Sequence, residues 1–217
     1  MKKLFFISIV CVAFHFTSYA QSARLGFNAG VAIANYDSKT GSETTTAKSK
    51  TGFTAGILVD VPMGTHFSFQ PAVNFVQKGT KDDTTIDGVI YNAQMNVNNI
   101  EVPLNFLYNT RGSSGDFFAG LGPSFTYALS GTSKVTGGGN SASTDLHFGS
   151  GANDDMKTID FGANFTAGYC FKGGLLLSAN YNAGLSNLLP QASGGDKLSS
   201  HYFGIKLGYL LKGSSKK

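Results

Sequence analysis

The chain has 217 residues, 41% of them hydrophobic and 14% charged, so it is short of the charged side chains that solvate the outside of a soluble β protein. Seventeen Lys and Arg against 13 Asp and Glu give a formal charge of +4, with no basic stripe and no aromatic–basic interleaving, which argues against nucleic acid as a partner. Two cysteines, at positions 11 and 170, do not make a disulfide framework.

Residues 1–20 carry Lys2 and Lys3, an apolar stretch from Leu4 to Phe16, and Ser18-Tyr19-Ala20. This is the layout of an export signal, with small residues at the two positions a signal peptidase reads, and cleavage before Gln21 is expected. The apolar stretch is about 13 residues, short of the roughly 20 that a spanning helix needs. Its removal takes two lysines and no acid, leaving 15 basic against 13 acidic residues. Cys11 leaves with it, and Cys170 becomes the single thiol of the mature chain.

Eight strands follow, predicted at 24–35, 52–61, 66–77, 98–108, 117–129, 158–171, 175–187 and 200–211. In each, every second side chain is large and apolar, while Gly, Ala, Ser, Thr or Asn dominate between them. The sixth is the plainest: Ile159, Phe161, Ala163, Phe165, Ala167, Tyr169 and Phe171 fall on one face, and Asp160, Gly162, Asn164, Thr166, Gly168 and Cys170 on the other. The second face is nearly uncharged and too small to cover an outer surface. It suits the tight, wet interior of an eight-stranded barrel, with the apolar face turned to lipid. The fold class expected is therefore all-β: an eight-stranded antiparallel up-and-down transmembrane β-barrel over 21–211, followed by a polar tail at 212–217.

The connections alternate. Residues 37–51, 79–97, 130–157 and 188–199 are long and polar, whereas Pro62 to Thr65, Asn109 to Asp116 and Lys172 to Gly174 are brief. Outer-membrane barrels place short turns on the periplasmic side and long loops outside. On the outward parity, Phe67, Tyr108, Phe117, Tyr169 and Tyr209 lie near the short-turn ends and Phe53, Phe75, Tyr127, Phe161 and Phe203 near the long-loop ends, as two aromatic girdles. Pro71, Pro103 and Pro123 fall inside strands of a barrel that has no free edge, so a bulge or local break is expected at some of them.

Five inward charges are expected to form a structural ion-pair network in the lumen: Arg24, Asp60, Glu101, Asp160 and Lys206. Arg24 and Asp60 should lie level on adjacent strands, and Lys206 about halfway along the last. For nucleophilic catalysis, His66 and Ser68 are two apart on one face but beside a short turn, and His201 follows Ser199 and Ser200 with no acid beside it in sequence. No catalytic residue is assigned. Asp82, Asp83 and Asp87, and Asp145, His147, Asp154 and Asp155, lack the spacing of a calcium loop; no metal or cofactor is expected.

Several segments resemble the PorT-type outer-membrane β-barrel family of Bacteroidetes. Asn99-Ile100-Glu101-Val102-Pro103-Leu104 is similar to its L-E-(I/V)-P-L strand, and Phe118-Ala119-Gly120-Leu121-Gly122-Pro123 to its (F/Y)-A-G-x-G-P strand. Asp160-Phe161-Gly162 and Tyr181-Asn182-Ala183-Gly184-Leu185-Ser186-Asn187 extend the likeness over the mature chain. The sequence departs at Asn99, where an aromatic or Leu is usual, and at the last strand, which lacks the terminal aromatic. The resemblance implies a Gram-negative outer-membrane barrel; the family's name-giving members are linked with type IX secretion and gliding, most relatives have no assigned activity, and there are no catalytic residues to carry over. A structural or binding surface protein acting through its loops is expected, a monomer among outer-membrane lipid and lipopolysaccharide, with an extracellular or periplasmic protein partner. A lipid A or phospholipid modifying enzyme and an accessory of type IX secretion are the alternatives.

Overall fold

The computed structural model describes residues 23–192 and 194–211. The expected signal segment and the polar tail lie outside these residues. Ten strands form one antiparallel sheet: β1 (Arg24–Thr40), β2 (Glu43–Thr46), β3 (Lys48–Pro62), β4 (Phe67–Ile86), β5 (Val89–Asn109), β6 (Gly115–Gly137), β7 (Asn140–Asp145), β8 (Ile159–Phe171), β9 (Leu175–Gly184) and β10 (Lys197–Leu210). Eight of them, all but β2 and β7, pair with their sequence neighbours, and β10 returns to β1 from Gly26↔Leu210 to Lys39↔Lys197. That pairing closes the ring and leaves no barrel edge unpaired, as a β-structure in lipid requires.

The two faces separate as the alternation predicts. Phe27, Phe67, Phe117, Leu121, Phe161, Phe165 and Leu207 are exposed on the outside, an apolar surface far larger than a soluble monomer carries. Aromatic residues meet across strands near the short turns, as in Phe67–Tyr108 and Phe117–Tyr169, and toward the other end, as in Phe53–Phe75 and Phe125–Phe161. The inner face is small where strands crowd: a Cβ on Gly30 would run into the carbonyl oxygen of Ile205 across the closing seam.

Three of the segments expected as polar loops, 37–51, 79–97 and 130–157, are strand over half their length or more. β4 and β5 continue in register to the Asp87-Gly88 turn, and β6 continues to Gly138-Gly139 before β7 folds back. All four turn residues have positive φ, 51°, 76°, 58° and 81°, which is the two-residue turn whose twist matches the flanking strands. β1 likewise runs on to Thr40 and turns through Gly41 into β2. About ten tilted residues suffice to cross the hydrocarbon, whereas β4, β5 and β6 have 20, 21 and 23. Their outer halves therefore project beyond the membrane band.

The prolines interrupt the ladder without shifting it. β4 and β5 pair at Pro71↔Leu104 and resume at Asn74↔Glu101 in the same register; β5 and β6 pair at Pro103↔Ser124 and resume at Phe106↔Leu121. These are the local breaks, and the parity beyond them holds. The register shifts lie elsewhere: Leu129 is an extra residue between Asn99↔Ala128 and Asn98↔Ser130, and a second irregularity falls between Ser49 and Thr54 of β3.

Candidate functional site

Inward side chains divide the lumen into layers. At the short-turn end Leu58, Leu107, Phe118, Cys170, Leu176 and Leu210 form an apolar plug. Beside it the Arg24 guanidinium donates to Asp60 Oδ2 from Nη2 at 2.7 Å and Nε at 3.3 Å, on residues that are direct cross-strand partners. Above the plug is a belt of amides. Asn180 Nδ2 donates to Asn164 Oδ1 at 3.2 Å, and Asn164 Nδ2 to Asn105 Oδ1 at 2.9 Å. A cavity of about 30 Å³ lies among these amides, with Lys206 in its wall. That is room for about one water.

The next layer holds charges with almost no exposure. Tyr202 OH donates to Glu101 Oε1 at 2.6 Å, and Lys78 Nζ stands 3.9 Å from Glu101 Oε2. Lys78 also donates to Ser200 Oγ at 3.4 Å, and Ser200 Oγ donates to Asp160 Oδ2 at 2.9 Å. Glu101, Lys78, Ser200 and Asp160 thus form a continuous chain spanning the bore, with the Tyr202 ring 5.2 Å under the ammonium. Apart from Asp60, which Arg24 neutralises, two carboxylates and two lysines, Lys206 included, balance the buried charge. Among the described residues Lys206 comes within 4 Å of no carboxylate oxygen.

Of the five charges singled out in the sequence, the structure brings Arg24 to Asp60, places Glu101 and Asp160 in one network, and sets Lys206 apart. Lys78 completes the network and was missed, because the predicted third strand ends at Gln77 and β4 runs through it. The even parity of β4 carried one residue further would have found it.

The other end is closed by residues expected to be solvated. The segment after β7 folds back on itself through a Phe148↔Met156 bridge. It presses Leu146, Phe148 and Met156 against Tyr36, Val97, Ala128, Leu188 and Leu198, an apolar cluster over the long-loop mouth. The acidic run there serves this turn: Asp155 Oδ2 accepts from His147 N at 2.8 Å and Asp154 Oδ2 from Gly151 N at 2.7 Å. The lumen is an ionic and amide core between two apolar plugs.

His66 and Ser68 do not meet. The imidazole stacks on Tyr108 with centroids 5.7 Å apart, while Ser68 is buried and accepts from Asn109 Nδ2 at 3.2 Å. His201 does gain an acid: its Nε2 lies 2.8 Å from Asp37 Oδ2. The contact crosses the β1–β10 seam, so closure alone creates it. Among the described residues no serine or threonine hydroxyl lies within hydrogen-bond distance of a histidine ring.

Removing Arg24, Asp60 or both tests their pair. Because Asp60 is buried and Arg24 one-third exposed, a double-mutant cycle in urea unfolding is expected to give a coupling of about 1–2 kcal/mol, above a surface pair and below a fully buried one. Zero coupling would refute a stabilising role.

A family model described as an outer membrane protein beta-barrel domain matches residues 19–190. No curated protein matches the chain. Among solved structures, the chain is similar to the attachment invasion locus protein Ail of Yersinia pestis, at 13% identity over 88% of this chain and 99% of that one, TM-score 0.42. It is also similar to OprG from Pseudomonas aeruginosa, at 12% identity over 88% and 97%, TM-score 0.49, and to Neisserial surface protein A, at 11% over 87% and 96%, TM-score 0.42.

Proposed function

Because the chain belongs to the outer membrane protein beta-barrel domain family, we propose that it is a surface protein of the Gram-negative outer membrane, binding or structural in role, acting through its long-loop end. That end faces outward in this reading, and the short turns face the periplasm, in keeping with the asymmetry of such barrels. The observation that carries the reading is the doubly closed lumen. With apolar plugs at both ends and a charged layer between them, the bore offers a solute no path, and the outer halves of β4, β5 and β6 with the cap over the mouth are the surface left for function. The lumen charges Arg24, Asp60, Glu101, Asp160 and Lys206, with Lys78, are structural in this account, and no catalytic residue, metal or cofactor is assigned.

Planar bilayers test the closed lumen: the purified, folded barrel is expected to give no reproducible conductance steps, since eight strands enclose a bore that side chains fill. Stable steps of uniform size would contradict it. A second reading, lipid modification at the outer leaflet, is favoured by one observation, the Asp37–His201 pair at the rim. Lipid A mass spectra with and without the protein separate the two, and an altered spectrum supports the enzyme. The PorT-type likeness of residues 99–104 and 118–123 supports a place near type IX secretion, for which crosslinking from the short turns is the test.

A further inference from the structure

We infer that the hollow at the long-loop mouth is a binding site for a small molecule with an apolar body and a cationic head. The inference deepens the surface-binding reading and rests on it for access from outside. The hollow has a volume of about 460 Å³ and lies between the β1–β2 hairpin, the outer part of β4 and β5, and the cap that follows β7. Its size falls within the roughly 300–1,000 Å³ of small-molecule pockets.

The floor is apolar and sealed. Met95, Leu146, Met156 and Leu198 line it beside the Tyr36 ring, and the same side chains form the plug over the lumen. An apolar body placed there displaces water from hydrocarbon, which favours binding in proportion to the area covered. Two methionines at the contact let the floor adapt to the shape of the guest.

The rim gives the sign of the head. Asp82 from β4 and Asp155 from the cap both line the hollow, brought together from two acidic runs about seventy residues apart in sequence. The single lysine in the lining, Lys48, is engaged elsewhere, its Nζ 3.0 Å from Asp83 Oδ2. Asp155 Oδ2 is occupied by the His147 backbone N–H, with the His147 ring Nδ1 3.5 Å away. The carboxylates therefore outnumber the available cation, and an ammonium head is attracted where a carboxylate or phosphate head is repelled. Threonine hydroxyls at 45, 46 and 80 complete a polar rim.

Methyl NMR of the full-length folded barrel in a nonionic detergent tests this directly. Met95 and Met156 report on the floor, and Met63, exposed at a short turn, serves as the internal control. Phenethyltrimethylammonium is titrated against two probes of matched aryl length, the anion 3-phenylpropionate and neutral phenethyl alcohol. The cation is expected to give saturable shifts at Met95 and Met156 with none at Met63, and to bind at least tenfold more tightly than the anion. Asp82→Asn with Asp155→Asn should weaken the cation at least fivefold and bring it level with the neutral probe, while the methyl spectrum at Met63 stays unchanged. Absence of shifts with every probe, equal binding of cation and anion, or undiminished cation binding in the double variant each overturns the inference. None of these results touches the outward placement of the loops, which whole-cell labelling decides separately.

Discussion

Replacing Glu101 by Gln is expected to lower the unfolding free energy of the barrel by about 3–5 kcal/mol, the range for a buried ion pair that loses one partner. Glu101 is fully buried; its Oε1 accepts from the Tyr202 hydroxyl, and its Oε2 faces the Lys78 ammonium at 3.9 Å as an ion pair without a hydrogen bond. Gln keeps the volume and an oxygen for Tyr202, so the change isolates the charge. What remains is an excess of two buried lysines over one carboxylate, Asp160, in a layer that the plugs shield from bulk water. Urea unfolding of the protein in detergent micelles measures the loss. Adding Lys78→Met should return at least half of it, because the double variant again balances one lysine against one carboxylate. A Glu101→Gln barrel as stable as the parent, or a double variant weaker than the single one, would mean that the lumen charges are not mutually compensating.

The eight strands of the ring, their inward and outward faces and the fold class were legible because lipid constrains the outside of a barrel residue by residue: outward positions must be apolar, so the period of two persists through all eight, while β2 and β7 lie outside the ring and carry no such pattern. Extension of the strands beyond the membrane was not legible in the same way. Outside the hydrocarbon both faces meet water, the alternation fades, and Thr84, Asn92 or Ser133 reads as loop. The surviving signals were local, the Asp87-Gly88 and Gly138-Gly139 pairs, whose left-handed conformations fit a hairpin better than a loop tip.

The candidate sites divide in the same manner. Arg24 opposite Asp60 follows from adjacent strands of which the first begins and the second ends at the short-turn side, so that both residues stand at the same level. Asp37 beside His201 depends on the first strand meeting the last, a contact that no local pattern contains. The cap over the mouth had a readable sign that composition concealed: Leu146, Phe148 and Met156 are three large apolar residues in a segment otherwise polar. An apolar residue that recurs in a loop needs a surface to cover, and here that surface is the open end of the barrel.

The central claim is that this chain crosses the outer membrane as a closed barrel with its long hairpins outside, and cysteine accessibility on intact cells tests it most directly. Ser143 on β7 is exposed and avoids the left-handed turn at Gly138 and Gly139, where a cysteine would be strained. Gly173, in the turn between β8 and β9, has open space where a Cβ would stand. Cys170 is buried, and a Cys170→Ala background removes it altogether. A membrane-impermeant maleimide added to whole cells is expected to label Ser143→Cys fully and Gly173→Cys only after lysis. Labelling of Gly173→Cys with protection of Ser143→Cys would invert the topology, and equal labelling of both on cells shown to be intact would contradict a membrane barrel.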